Sequence, residues 1–199
     1  MKKIILLLSL IICALSIFAQ KQKVWLDADT GNEMDDLYAI VRLVKDPSVE
    51  LIGLSSAHFN NPDLLVFDKW NAYDTKGLNT VEDSQRLNEQ ILKALERLDI
   101  PHPLGADRQV GRAWGQQDAR DSEAAQAIIA AVKTLPSGEK LDILTIGAMT
   151  NLASALILAP EIKSRIRCFA LGAQYDPKPR SGTRMNSISV TTSMLLIIC

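Results

Sequence analysis

The chain predicts an α/β fold, a mostly parallel open sheet with flanking helices, and three observations carry that reading. Short apolar runs at 24–26 and 49–57 bracket a segment, 36–45, whose apolar residues recur at helical spacing. Strand, helix, strand in that order is a βαβ unit, which implies a parallel pair. The alternation returns between 141 and 172. Finally, the first run passes into its helix through Asp27-Ala28-Asp29-Thr30-Gly31-Asn32-Glu33-Met34-Asp35-Asp36, five acidic side chains in ten positions. Open parallel sheets form their sites at such a place, beyond the carboxyl end of a strand.

Carboxylates so close raise one another's pKa and resist ionisation unless a cation sits among them. Oxygen donors of this kind suit a hard divalent ion, Ca²⁺ or Mg²⁺. A plainer reading stands beside it: a solvated acidic loop whose Asp35 or Asp36 favours a helix N-terminus on dipole grounds alone.

The elements follow in order. Met1-Lys2-Lys3 and the apolar run 4–18, ending near Ala19-Gln20, read as a secretory signal peptide, residues 1–20. The run is shorter than the ~20 residues a membrane span needs. Export to a periplasmic or extracellular compartment is therefore expected, with no stable membrane association after cleavage.

Setting aside Lys2, Lys3 and Arg184 leaves 19 basic residues against 23 acidic ones between 21 and 180. That mild acidity argues against nucleic acid as a partner. Cys168 is the single cysteine of that span, which excludes an intrachain disulfide framework there. The length fits one domain with a real core, and a homo-oligomer stays open.

The helix at 36–45 ends at Asp46-Pro47, because the residue before proline avoids the helical region. Strand 49–57 leads into His58-Phe59-Asn60. Helices are expected at 62–76, with Trp70 and Tyr73 packing on one face, and at 84–98, where Ile91, Leu92, Leu95 and Leu98 keep helical spacing. Residues 77–80 read as the turn between them. His102, between two prolines, reads as structural. Arg108 to Arg120 is a polar surface loop. Asp121 or Ser122 caps a helix at 123–135 that Pro136-Ser137-Gly138 ends. Residues 141–146 form a buried strand, Thr150 and Asn151 cap the next helix, and 167–172 is a further strand.

Two stretches resemble one family. Asp27-Ala28-Asp29-Thr30-Gly31-Asn32-Glu33-Met34-Asp35-Asp36 is similar to the N-terminal signature of the inosine-uridine preferring nucleoside hydrolases, Asp-x-Asp-Pro-Gly-x-Asp-Asp or a longer form with Gly-Asn-Asp-x-Asp-Asp. It departs at Glu33, where Asp is usual, and at Thr30, where Pro or an aliphatic is usual. Ile146-Gly147-Ala148-Met149-Thr150-Asn151-Leu152-Ala153 resembles the family's Gly-Pro-Leu-Thr-Asn-Leu-Ala. The resemblance runs from Lys23 to about Asp176, and 100–106 resembles a short strand of the family.

The resemblance implies a nucleoside hydrolase-like, Rossmann-like fold and Ca²⁺-dependent hydrolysis of the N-glycosidic bond of a nucleoside. It implies that Asp29 and Asp36 bind the ion through carboxylates and Ile146 through its backbone carbonyl, with Asp29 also the general base. Asp35 and Asn60 would hold ribose hydroxyls, and Asp27 would fix the loop from behind. His58 stands where the family has a small residue, so either substrate contact or a bystander role is open; Glu33 has no role to transfer.

Residues 181–199 do not fit. The family continues with a loop carrying Glu-Phe-Asn and, later, an Asp that completes the metal site, whereas this tail holds no acidic residue. A natural divergent terminus is one reading. The other is a truncated chain with an aberrant tail, out of frame from around 178–181. Met185-Asn186 must be encoded ATG-AA, so the frame one base earlier reads GAA, glutamate. On that reading activity is impaired or absent.

Two rivals remain. Asp27-Ala28-Asp29-Thr30 also resembles the first motif of haloacid-dehalogenase-like phosphatases, with Asp27 as nucleophile and Asp29 as general acid. The other is a non-catalytic protein that binds nucleoside or ribose.

Overall fold

The computed structural model describes residues 21–59, 79–111 and 118–171. The expected signal peptide, the helix at 62–76 with Trp70 and Tyr73, and the tail at 181–199 lie outside them.

Four parallel strands form one sheet in the order β2-β1-β3-β4: β1 (Gln22–Ala28), β2 (Val49–Ser56), β3 (Leu141–Thr145) and β4 (Ile166–Ala170). The central strand β1 is buried from Val24 to its end, as its unbroken apolar run requires of a parallel strand covered on both faces. Alternation along it sorts the two halves of the core. Val24, Leu26 and Ala28 join Ile40, Leu54 and Leu92 on one side. Trp25 points to the other, among Ile128, Val132, Ile143 and Leu152. Gly53 makes room for the Trp25 ring, which a Cβ there would meet at 2.3 Å.

Helices α1 (Asp35–Lys45) and α2 (Thr80–Ala94) supply residues to the first half of the core, α3 (Glu123–Thr134) and α4 (Thr150–Leu158) to the second. Helix α1 carries Asp35 and Asp36 in its first turn and Arg42 and Lys45 in its last, each set on the end its charge favours. It stops at Asp46, whose carboxylate accepts from the Ser48 amide at 2.9 Å ahead of the next strand. Ser122, one of the two expected caps, accepts from the Ala125 amide at 3.2 Å to open α3. Among the described residues no helix is long and apolar enough to cross a membrane.

Three expectations need correction. Helix α2 begins at Thr80, inside the expected turn, and ends at Ala94 rather than 98. Glu96 adopts φ 58°, the Glu96 amide bonds to the Lys93 carbonyl and the Arg97 amide to that of Leu92. Those paired bonds satisfy the last carbonyls and turn the chain out of the helix. Residues 101–106 form no strand. The Pro101 carbonyl accepts from the Leu54 amide at 2.9 Å, but Pro101 and Pro103 have no N–H with which to extend a ladder. The last strand begins at Ile166 and ends at Ala170, shorter than the expected 167–172.

Candidate functional site

In the order β2-β1-β3-β4 the chain leaves β1 toward one neighbour and returns on its other side, so the crevice of such a sheet opens at the carboxyl end of β1. Asp27 is the last residue but one of that strand, opposite Ser55 on β2 and Thr145 on β3. Alternation places its side chain with Trp25, toward α3 and α4. It is wholly buried. One carboxylate oxygen accepts from the Ser55 hydroxyl at 2.5 Å and from the Asn151 side-chain amide at 2.8 Å, while the Trp25 indole donates to the same Ser55 oxygen at 2.9 Å. The other oxygen has no hydrogen-bond partner among the described residues. Burial pushes this carboxyl up to about 7, against the pull of the two hydrogen bonds.

Two residues later the chain turns. The Asn32 amide donates to the Asp29 carbonyl at 3.0 Å, and Gly31, third in the turn, has φ +103°. That conformation is the one a type II turn requires of its third residue, and it favours glycine. The Asn32 side chain reaches back to the Asp29 carboxylate at 3.0 Å. Asp29 is buried and its carboxyl is raised to about 6, first by burial and then by Asp35 and Glu33.

Asp36, in the first turn of α1, is also buried and is raised to about 8, by burial and then by the charges of Asp29, Asp35 and Glu33. Asp35 and Glu33 are exposed at the lip.

The loop after β3 closes the other wall. The Ile146 amide donates to the Asp27 carbonyl at 2.9 Å, so the residue following β3 continues the pairing to β1. Gly147 lies hard against Asp29: a Cβ there would stand 2.7 Å from the Asp29 Cβ, Cγ and Oδ1. Asp27, Asp29, Asp36 and Ile146 are thereby brought to one end of β1, and Asp35 to its rim. Asn60 lies outside the described residues. His58 is buried, its Nε2 2.9 Å from the Thr150 hydroxyl, and ties the end of β2 to the start of α4. His102 bonds through Nδ1 to the Ile100 carbonyl at 2.7 Å, within its own loop.

The expectation that Thr150 and Asn151 cap a helix is overturned. Met149 occupies the cap position and no side-chain cap bond forms. Thr150 is instead spent on His58. Asn151 donates to Asp27 and to the Ser56 carbonyl at 2.9 Å, and accepts from the Ala106 amide at 2.9 Å and the Ser122 hydroxyl at 3.2 Å. A buried amide pays no penalty when its whole donor and acceptor capacity is used, and this one joins five segments of the chain.

Among the described residues no three His, Cys, Asp or Glu side chains form a group able to hold a metal ion. At this end the charge of Asp29 acts on Asp36, and the main chain at Gly147 runs against Asp29.

No family model matches the chain, and no match was found among curated proteins. Solved structures do match. A plant nucleoside hydrolase, the PpNRh1 enzyme, superposes with a TM-score of 0.56 at 22% identity over 77% of this chain and 48% of its own. A purine-preferring ribonucleoside hydrolase from Gardnerella vaginalis gives 0.51 at 24% identity, over 77% of this chain and 49% of its own. The type III effector protein XopQ, complexed with adenosine diphosphate ribose, gives 0.55 at 16% identity, over 81% and 46%. The chain spans about half the length of each of these structures. Over the part they share, it has the fold of the nucleoside hydrolases.

Proposed function

We propose that the crevice at the end of β1 hydrolyses the N-glycosidic bond of nucleosides and depends on Ca²⁺. The observation that carries the reading is the pair of buried carboxyls, Asp29 and Asp36, each raised by burial and the second also by the first. Two buried carboxyls so close resist ionisation, and groups in such surroundings cluster at functional sites. The donors are of the kind the ion takes: carboxylate and peptide carbonyl oxygens are hard ligands. Asp29, Asp36 and the Ile146 carbonyl would hold it, fewer oxygens than the 6–8 that Ca²⁺ takes. When bound, the ion supplies positive charge that offsets the carboxylate repulsion and acidifies water nearby.

The chain's own residues do the rest. Asp29, buried at the end of β1, would accept a proton from the attacking water. The water's oxygen bonds to the anomeric carbon of the ribose as the bond to the base nitrogen breaks. The bonding pair leaves with the base, which takes a proton from solvent, and ribose is released. Asp35, exposed beside the buried pair, would accept from ribose hydroxyls, a role Asn60 would share. Asp27 holds the end of β1 and touches no substrate.

The phosphatase alternative would need Asp27 to meet a phosphate ester, and Asp27 is wholly buried with one oxygen held by two donors. A non-catalytic ribose-binding role has one observation in its favour, the adenosine diphosphate ribose in complex with XopQ.

Reducing-sugar release from inosine and uridine tests the proposal. Release that Ca²⁺ supports, EDTA abolishes and Asp29→Asn lowers at least ~100-fold is the expected result. Calorimetric binding of nucleoside without ribose release would replace hydrolysis by the binding role.

A further inference from the structure

Helix α2 presents Thr80, Ser84, Asn88 and Leu92 at four-residue intervals, one stripe along one face, and all four are buried. Leu92 is in the core below β1. The polar members reach residues at or just beyond the carboxyl ends of β1 and β2. Thr80 bonds through its hydroxyl to the Phe59 carbonyl at 2.9 Å. Ser84 donates to the Ala28 carbonyl at 3.1 Å. Asn88, wholly buried, accepts from the Thr30 hydroxyl at 2.6 Å. Leu87, on the same face, brings its Cδ1 to where a Cβ on Gly31 would lie 2.7 Å away. Three adjacent positions of the helix thus grip Ala28, Thr30 and Gly31, which surround Asp29 in sequence.

The turn they grip explains why. Thr30 is second in the turn closed by the Asn32 amide on the Asp29 carbonyl. Proline favours that position because its ring fixes φ near −65° without help from neighbours. Threonine has no such constraint. Here the side chain at that position is fully buried, and its hydroxyl is tied to Asn88. The tie is kept at a cost: Asn88 Nδ2 is buried with no hydrogen-bond partner among the described residues, a situation that folded proteins avoid unless the side chain is needed for its other atom.

We propose that Asn88 is a positioning residue for the site, holding the Asp29 turn through Thr30 in place of the rigidity a proline would give. The proposal rests on the reading of Asp29 as a ligand and base, but the brace itself can be measured without turnover. Two readouts serve: hydrogen exchange at the Asn32 amide, whose acceptor is the Asp29 carbonyl, and calorimetric affinity for Ca²⁺.

In the full chain, Asn88→Leu is expected to speed exchange at Asn32 and weaken Ca²⁺ binding about 10-fold or more, as loss of an outer partner of a metal ligand does. Thr30→Pro placed on Asn88→Leu is expected to restore both, a rescue that a merely space-filling role for Asn88 would not produce. Should Asn88→Leu fail to fold by circular dichroism, Thr30→Val, which exchanges the hydroxyl for a methyl, takes its place with the same losses expected, and Thr30→Pro in its stead is expected to keep exchange and affinity near the wild-type values. Unchanged exchange and affinity in the folded variant, or no rescue by proline, would overturn the proposal. A wild-type chain that binds no Ca²⁺ yet shows the exchange effect and its rescue would refute the cation reading and leave the brace standing.

Discussion

The side-chain amide of Asn151 donates to the Asp27 carboxylate at 2.8 Å, joining residues 124 positions apart at the mouth of the sheet. The same side chain serves the Ser56 carbonyl and the Ala106 amide. Asn151→Leu keeps the volume and leaves those two backbone groups buried without a partner, at about 1–3 kcal/mol each. The expected loss is about 2–6 kcal/mol of folding stability. A urea unfolding midpoint that falls while the slope stays constant would check it; a loss below 1 kcal/mol would mean that the network is not a structural hub.

Gly147 separates geometry from stability. Gly147→Ala sets a methyl 2.7 Å from the Asp29 carboxylate, which must then move. A displacement of about 1 Å at a reacting group costs on the order of 100-fold in rate. Ribose release is expected to fall by that order while the melting temperature changes little. Equal activity in the two proteins would show that Asp29 does not work where it lies.

The raised carboxyls fix a pH dependence. Asp27, Asp29 and Asp36 sit at about 7, 6 and 8 when folded, against 3.8 ordinarily. The folded chain therefore keeps protons that the unfolded chain has released, and stability falls as pH rises wherever that holds. Their contribution is whole below about pH 4 and lost as pH climbs through 6, 7 and 8. In EDTA the melting temperature is expected to drop from pH 5 to pH 8.5, with a shallower slope in Asp36→Asn. A flat or rising profile for the wild type would contradict this arrangement of charge.

Much of this was legible in the sequence, for identifiable reasons. The apolar runs at Val24-Trp25-Leu26 and Leu141 to Ile146 mark parallel strands because both faces of such strands are covered, and Asp46-Pro47 marks a helix end because of a local steric clash. The acidic loop announced itself by charge density alone. What failed was whatever depended on partners far along the chain. Asn151 looked like a cap because Thr-Asn at a helix start caps more often than it crosslinks. Thr80 looked like part of a turn because its bonding to Phe59 is invisible in sequence. Ser84 and Asn88 left one usable trace, the four-residue spacing they share with Leu92, but polar residues at that spacing read as a solvated face until the Ala28 carbonyl and the Thr30 hydroxyl are placed beside them. The strand expected at 100–106 failed for a reason that was on view, the two prolines.

Titration of Ca²⁺ into the metal-free chain at pH 8, followed by calorimetry, shows whether a cation is held among these carboxylates. One ion per chain is expected, with a higher melting temperature in its presence and no binding heat from Asp29→Ala or Asp36→Ala. No heat from a folded wild-type chain, or the same heat from both variants, would contradict it.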